Sequence, residues 1–220
     1  MSISNNLITI QKNIPEHVTL VAVSKTKPVT DILEAYNAGQ RVFGENKIQE
    51  MAAKYDDLPK DISWHMIGHL QSNKVKYMAH FVNLIHGVDS FTTLIEINKQ
   101  AKKHNRVIHC LLQLKIAQED SKFGLSKEEV KNILNSYDYK NMENIKVVGL
   151  MGMASFVDDE NQIKKEFKIL TSFYEETKIH QPQFNIISMG MSGDYELAIA
   201  EGSTMVRVGS AIFGNRNYAV

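Results

Sequence analysis

The chain has 220 residues, 43% of them hydrophobic, with no break in composition; that length suits one α/β barrel domain spanning residues 1–220, able to bury roughly 70% of its unfolded surface. Lys plus Arg and Asp plus Glu each number 25, a formal net charge of zero, so no general attraction to nucleic acid or an anionic membrane is expected. The one cysteine, Cys110, excludes an internal disulfide; it lies in the apolar run Val107–Leu112 and reads as a small buried hydrophobe of a protein in the reducing cytoplasm.

Short β-rich runs alternate with helical patterns along the chain. The expected strands are Val18–Val23, Arg41–Phe43, Trp64–Ile67, Phe81–Ile85, Val107–Leu114, Lys146–Leu150, Asn185–Ser188 and Met205–Val208. Between them, Phe91, Leu94, Ile95 and Asn98 begin one helical face, and Ile163, Phe167, Leu170 and Tyr174 mark another at i, i+4, i+7 and i+11. Ser126-Lys127-Glu128-Glu129 is a capping box before Val130 and Ile133. Tyr195, Ala198 and Ile199 belong to a short helix that Gly202 is placed to end. The stretch Gln118–Gly124 reads as a polar, mobile loop. Eight strand–helix alternations predict a parallel sheet that closes as a (β/α)₈ TIM-type barrel. The competing architecture is an open doubly wound sheet, but no G-x-G-x-x-G follows the first strand. No apolar run approaches the ~20 residues of a membrane span. The N-terminus lacks the basic start and apolar core of a secretory signal.

Period-2 alternation in the first strand puts Val21, Val23 and Lys25 on one face. A strand-end lysine is ordinarily a solvated surface group. This one would point inward at the C-terminal mouth of the barrel, where the active sites of this fold lie. Burial, with the Lys27 charge two residues away, would favour the neutral amine that attacks an aldehyde. The seventh strand leads into Ser188-Met189-Gly190-Met191-Ser192-Gly193-Asp194, and the eighth into Arg207-Val208-Gly209-Ser210-Ala211. Either glycine-rich stretch alone reads as a tight turn. Together they occupy the two loops where barrels of this kind hold phosphate. Arg207 shares a face with Met205 and should point inward, either to a core salt bridge or to a ligand. Metal binding by His65 and His69 is disfavoured, because the pair lies on a strand and lacks the glutamate of a zinc-protease motif. Ser192 is a poor hydrolase nucleophile, because Asp194 stands where the nucleophile elbow needs glycine.

These segments, in this order, resemble the pyridoxal phosphate homeostasis protein family over nearly the whole chain. The marks are Ala22-Val23-Ser24-Lys25-Thr26-Lys27, Phe43-Gly44-Glu45-Asn46, His65-Met66-Ile67-Gly68-His69-Leu70-Gln71-Ser72-Asn73-Lys74, Asp120-Ser121-Lys122-Phe123-Gly124-Leu125, Gly149-Leu150-Met151-Gly152-Met153, Ser188-Met189-Gly190-Met191-Ser192 and Gly202 through Gly209. The resemblance implies the fold-type III barrel, similar to the N-terminal domain of alanine racemase. It implies pyridoxal 5′-phosphate as cofactor, held as a Schiff base on Lys25. It places Ser192, Gly209 and Ser210 at the phosphate, Arg207 facing the pyridine nitrogen and Asn46 in the pocket wall. An arginine at that nitrogen disfavours its protonation and makes the ring a weaker electron sink. Racemases of this fold carry a second domain that supplies a tyrosine acid–base group, whereas this chain ends at Val220, soon after Arg207. The expectation is therefore a monomeric binder that serves vitamin B6 balance without catalysis. PLP-dependent apoenzymes would be its recipients, and no metal, nucleic acid or membrane is involved. The alternatives are an amino-acid racemase or transaminase, and a phosphosugar enzyme in which Lys25 would condense with the substrate itself.

Overall fold

The computed structural model describes residues 2–118 and 123–214. Eight strands form a closed parallel barrel in sequence order: β1 (Thr19–Val23), β2 (Val42–Glu45), β3 (Ser63–Met66), β4 (Leu84–Val88), β5 (Ile108–Gln113), β6 (Ile145–Met151), β7 (Ile186–Met191) and β8 (Met205–Val208). Closure is made by β1 against β8, with Thr19 opposite Met205 and Val21 opposite Arg207. Helices α1 (Ile3–Asn13), α2 (Val29–Asn37), α3 (Ile48–Asp57), α4 (Phe91–Lys103), α5 (Lys127–Asn135), α6 (Tyr137–Lys140), α7 (Glu160–Lys178), α8 (Tyr195–Ala200) and α9 (Ser210–Phe213) surround the barrel, with a 3-10 helix at Ser72–Tyr77 between β3 and β4. Among the described residues no helix is long and apolar enough to cross a membrane.

Strand alternation divides the apolar residues between two cores. Leu20, Ala22, Phe43, Trp64, Met66, Ile85, Cys110, Leu112, Val147, Leu150, Ile187, Val206 and Val208 face the helices and join the larger one. Val21, Leu84, Leu111, Val148, Met151 and Met205 form a smaller cluster inside the barrel. The expected face of α7 is buried at all four positions, Ile163, Phe167, Leu170 and Tyr174. Each such side chain contributes about 1.5–3 kcal/mol of transfer free energy. The capping box forms at Ser126 and Glu129. Gly202 follows α8 with φ +96°, a conformation that costs a side-chain-bearing residue about 1–2 kcal/mol. Cys110 is fully buried, and burial pushes its thiol pKa up, as a structural cysteine requires.

Two expectations need correction. The fourth strand runs Leu84–Val88, not Phe81–Ile85. Phe81 and Val82 are buried, but their N–H groups both bond the Met78 carbonyl (3.1 and 2.9 Å), so this segment is a turn packed against the outer core. In α4 the buried stripe is Leu94, Ile97 and Ala101, while Ile95 is exposed. The N-terminal segment, read only for the absence of a signal, is a helix capped by Ser2 that buries Leu7 and Ile10. Of the polar loop at 118–124, residues 119–122 lie outside the described residues, and with them Asp120, Ser121 and Lys122.

Candidate functional site

The residues singled out from sequence lie at the C-terminal ends of strands β1, β2, β7 and β8. Val21 is inward and Ala22 outward, so the same alternation gives Lys25 the inward parity, just beyond the strand. The segment is held in register by the Ser24 N–H, which donates to the Gly44 carbonyl (3.0 Å). Lys25 is half-buried.

The turn that carries Lys25 is clamped from outside the barrel. The Ser24 hydroxyl donates to Glu45 Oε1 (2.6 Å). Lys54, from α3, donates to the same oxygen (2.8 Å), to the Ser24 carbonyl (2.8 Å) and to Glu50 Oε1 (2.7 Å). Glu50 in turn accepts the Thr26 N–H. Thr26 adopts φ +64°, a left-handed conformation unusual for a β-branched residue, so the clamp holds roughly 1–3 kcal/mol of backbone strain beside Lys25. Burial raises the Glu45 carboxyl above its ordinary pKa despite the Lys54 ammonium, and its Oε2 has no hydrogen-bond partner among the described residues. Lys27 does not simply offer its charge to Lys25, since its Nζ donates to the Phe213 carbonyl (2.7 Å) and ties the turn to α9.

The two glycine-rich loops meet. The Gly209 N–H donates to Ser192 Oγ (3.0 Å), although the two residues are 17 apart in sequence. Ser210 is exposed and opens α9. Asp194 Oδ1 accepts the Met191 N–H and closes the turn after β7. Gly190 has φ +95°, and a Cβ there would stand 2.6 Å from the Ala198 Cβ, so only glycine lets α8 pack this closely on β7. Asn46 is half-buried after β2. Its carbonyl lies 2.4 Å from where a Cβ of Gly68 would be, which draws the loops after β2 and β3 together.

Arg207 is buried and inward, as its parity requires, and among the described residues its hydrogen bonds run to uncharged groups. Its Nη1 donates to Ser188 Oγ (2.6 Å) and its Nη2 to the Gly152 carbonyl (3.2 Å), both neutral acceptors. Burial lowers its pKa to about 10, which Asp194 counteracts, so the guanidinium stays charged at neutral pH. Ser188 Oγ also meets His86 Nδ1 (2.9 Å), and His86 Nε2 meets His65 Nδ1 (3.1 Å). Desolvation pushes His65 down to about 3 and His86 well below its ordinary value, so both rings are neutral. His69 is not brought to His65. It pairs with Asp89 (2.8 Å) and stacks on Phe123 at the rim. Sequence reading missed His86 because it followed from the misplaced fourth strand. With β4 at Leu84–Val88, alternation puts Leu84 and His86 inward together.

The family described as alanine racemase, N-terminal domain, matches residues 1–217. The chain is 39% identical over 205 residues to the pyridoxal phosphate homeostasis protein of Aquifex aeolicus, covering 90% of this chain and 87% of that one. It is 38% identical to the protein of the same name from Pasteurella multocida, covering both chains fully. PipY of Synechococcus elongatus, solved with PLP bound, superposes with a TM-score of 0.88 at 34% identity, covering 97% of this chain and 100% of that one. An alanine racemase of Clostridium difficile superposes at 0.77 with 15% identity, over 57% of that enzyme, a likeness of fold. The chain belongs to the alanine racemase N-terminal domain family, among its pyridoxal phosphate homeostasis proteins.

Proposed function

We propose that this barrel binds pyridoxal 5′-phosphate through a Schiff base on Lys25 and serves vitamin B6 balance in the cytoplasm without turning over amino acids. The observation that carries the reading is the convergence at one barrel mouth of an inward-parity lysine, the mutually bonded Ser192 and Gly209, and a buried inward arginine. The residues fit the group. Ser192 and Ser210 carry neutral hydroxyl donors of the kind that hold a phosphate dianion, and the Gly209 N–H, by donating to Ser192 Oγ, leaves the Ser192 proton to point at it. Arg207, whose bonds here run to neutral oxygens, supplies a fixed positive charge suited to an unprotonated pyridine nitrogen. Asn46 would line the wall. When bound, the cofactor supplies an aldehyde that condenses with a lysine amine and releases one water. The clamp on Ser24 and Thr26 presents that amine, and Arg207 limits the electron-sink chemistry that amino-acid turnover needs. The relatives named for pyridoxal phosphate homeostasis, and PipY with PLP bound, support the same reading.

The test is to load the purified protein with pyridoxal phosphate, record the visible band, reduce with borohydride and map the retained mass. Label on Lys25 is expected. L-alanine incubated with the loaded protein in deuterated water should invert no faster than with free pyridoxal phosphate. Inversion well above that background would make the protein a racemase.

A further inference from the structure

One layer of the barrel interior is polar. Ser63 and His65 of β3, His86 of β4, Ser188 of β7 and Arg207 of β8 form a continuous series of contacts from one wall of the barrel to the other. The spacings are 3.3, 3.1, 2.9 and 2.6 Å in that order. His65, His86, Ser188 and Arg207 are each at least nine-tenths buried. Such layers are ordinarily filled by branched apolar side chains, and burying polar groups is unfavourable unless each is satisfied.

The donors fix a direction. Arg207 can only donate, so Ser188 Oγ accepts from it. The Ser188 hydroxyl then has its own proton to place, and His86 Nδ1 is the acceptor in reach. A neutral His86 with a bare Nδ1 carries its proton on Nε2 and donates it to His65 Nδ1. His65 must then carry its proton on Nε2, toward Ser63 Oγ. The reverse polarity would leave Ser188 accepting twice, with its own proton unplaced in a buried site.

We propose that His86, with His65 behind it, is a positioning residue for Arg207: by accepting the Ser188 proton it makes the serine oxygen a fixed acceptor that holds the guanidinium in place for the cofactor ring. The proposal rests on the reading of Arg207 given under Proposed function. Among the described residues, the charged or titratable groups bearing on this layer are Arg207, the two histidines and Asp194.

Two measurements test it. The first uses ¹⁵N-histidine NMR on the full chain without ligand. His65 and His86 should each show a protonated Nε2 and a bare Nδ1, unchanged between about pH 8 and pH 5, where free histidine titrates. A protonated Nδ1 on His86, or titration across that range, overturns the relay. The second compares His86→Asn with His86→Leu. Asparagine can offer its amide oxygen to the Ser188 hydroxyl, and leucine offers nothing. Affinity for pyridoxal phosphate should stay within about threefold for His86→Asn and fall about tenfold for His86→Leu, the value of one hydrogen bond to a charged network. A role in packing alone would lower both melting temperatures and leave the affinities equal, which also overturns the proposal. Should the wild-type chain fail to bind pyridoxal phosphate, the functional reading fails, while the NMR arm still decides the polarity of the layer.

Discussion

Lys25 and Lys27 stand two residues apart, and the fold treats them differently. Lys25 keeps the inward parity of β1, whereas Lys27 ends on the Phe213 carbonyl at the end of α9. Lys25→Ala should therefore abolish the visible band on loading with pyridoxal phosphate. Its melting temperature should stay close to wild type, because a half-buried side chain outside both apolar cores is being removed. Persistence of the band, with borohydride label on Lys27, would contradict the assignment. Ser210 tests the phosphate end. It is exposed at the first position of α9, so Ser210→Asp should fold normally. Its carboxylate would face a dianion near the surface, and at an effective dielectric of about 20 two charges 4 Å apart repel by about 4 kcal/mol. Isothermal titration should show affinity for pyridoxal phosphate falling at least a hundredfold, with unphosphorylated pyridoxal little affected. Equal losses for both ligands would place Ser210 away from the phosphate.

At the scale of elements, the clamp joins the end of β1 to β2 and α3. Lys54 lies buried against Glu45 and Glu50. Lys54→Met would leave the fully buried Glu45 carboxylate without its cation, a change that typically costs about 3–5 kcal/mol. Glu45→Gln should cost less, since the amide oxygen can still accept from Ser24. Adding Glu45→Gln to Lys54→Met should recover part of the stability, read by urea unfolding. A double variant no better than Lys54→Met alone would mean that the lost cation is not the cause. This clamp was not legible in the sequence, because Glu45 and Lys54 are joined only when α3 folds back over β2. The faces of β1 and β8 were legible from strand parity alone, which puts Val21 and Met205 inward, where the barrel's inner cluster holds them. The fourth strand was misplaced because Phe81 and Val82 carry the composition of a strand but bury their side chains from a turn. That three-residue displacement hid His86. The meeting of Ser192 with Gly209 was anticipated only as a general property of barrel loops, since nothing local connects residues 17 apart.

At the scale of the whole molecule, the polar layer makes stability depend on pH in a definite direction. His65 and His86 are held neutral, with pKa values depressed by burial. In the unfolded chain they return to about 6.5. Above that value their contribution is fully present. Below it the unfolded chain takes up two protons that the folded barrel refuses, so stability falls with pH, and for His65 the fall continues to about 3. Each histidine adds a slope of about 1.4 kcal/mol per pH unit, so the pair removes roughly 3 kcal/mol by about pH 5.5. Glu45 acts in the opposite sense. Its folded pKa is raised, so its contribution is greatest below about 4.3 and is lost as pH rises through the folded value. It therefore offsets part of the histidine effect on acidification. Urea unfolding at a series of pH values should show wild-type stability falling below about pH 6.5. The Glu45→Gln variant should fall more steeply, because the offset is removed, and His86→Asn should fall less steeply than wild type. An unfolding free energy of Glu45→Gln that is flat from about pH 7 to pH 5 would show that the two rings take up protons in the folded barrel as readily as in the unfolded chain. The direction of donation from Ser188 to His86 would then be lost with it.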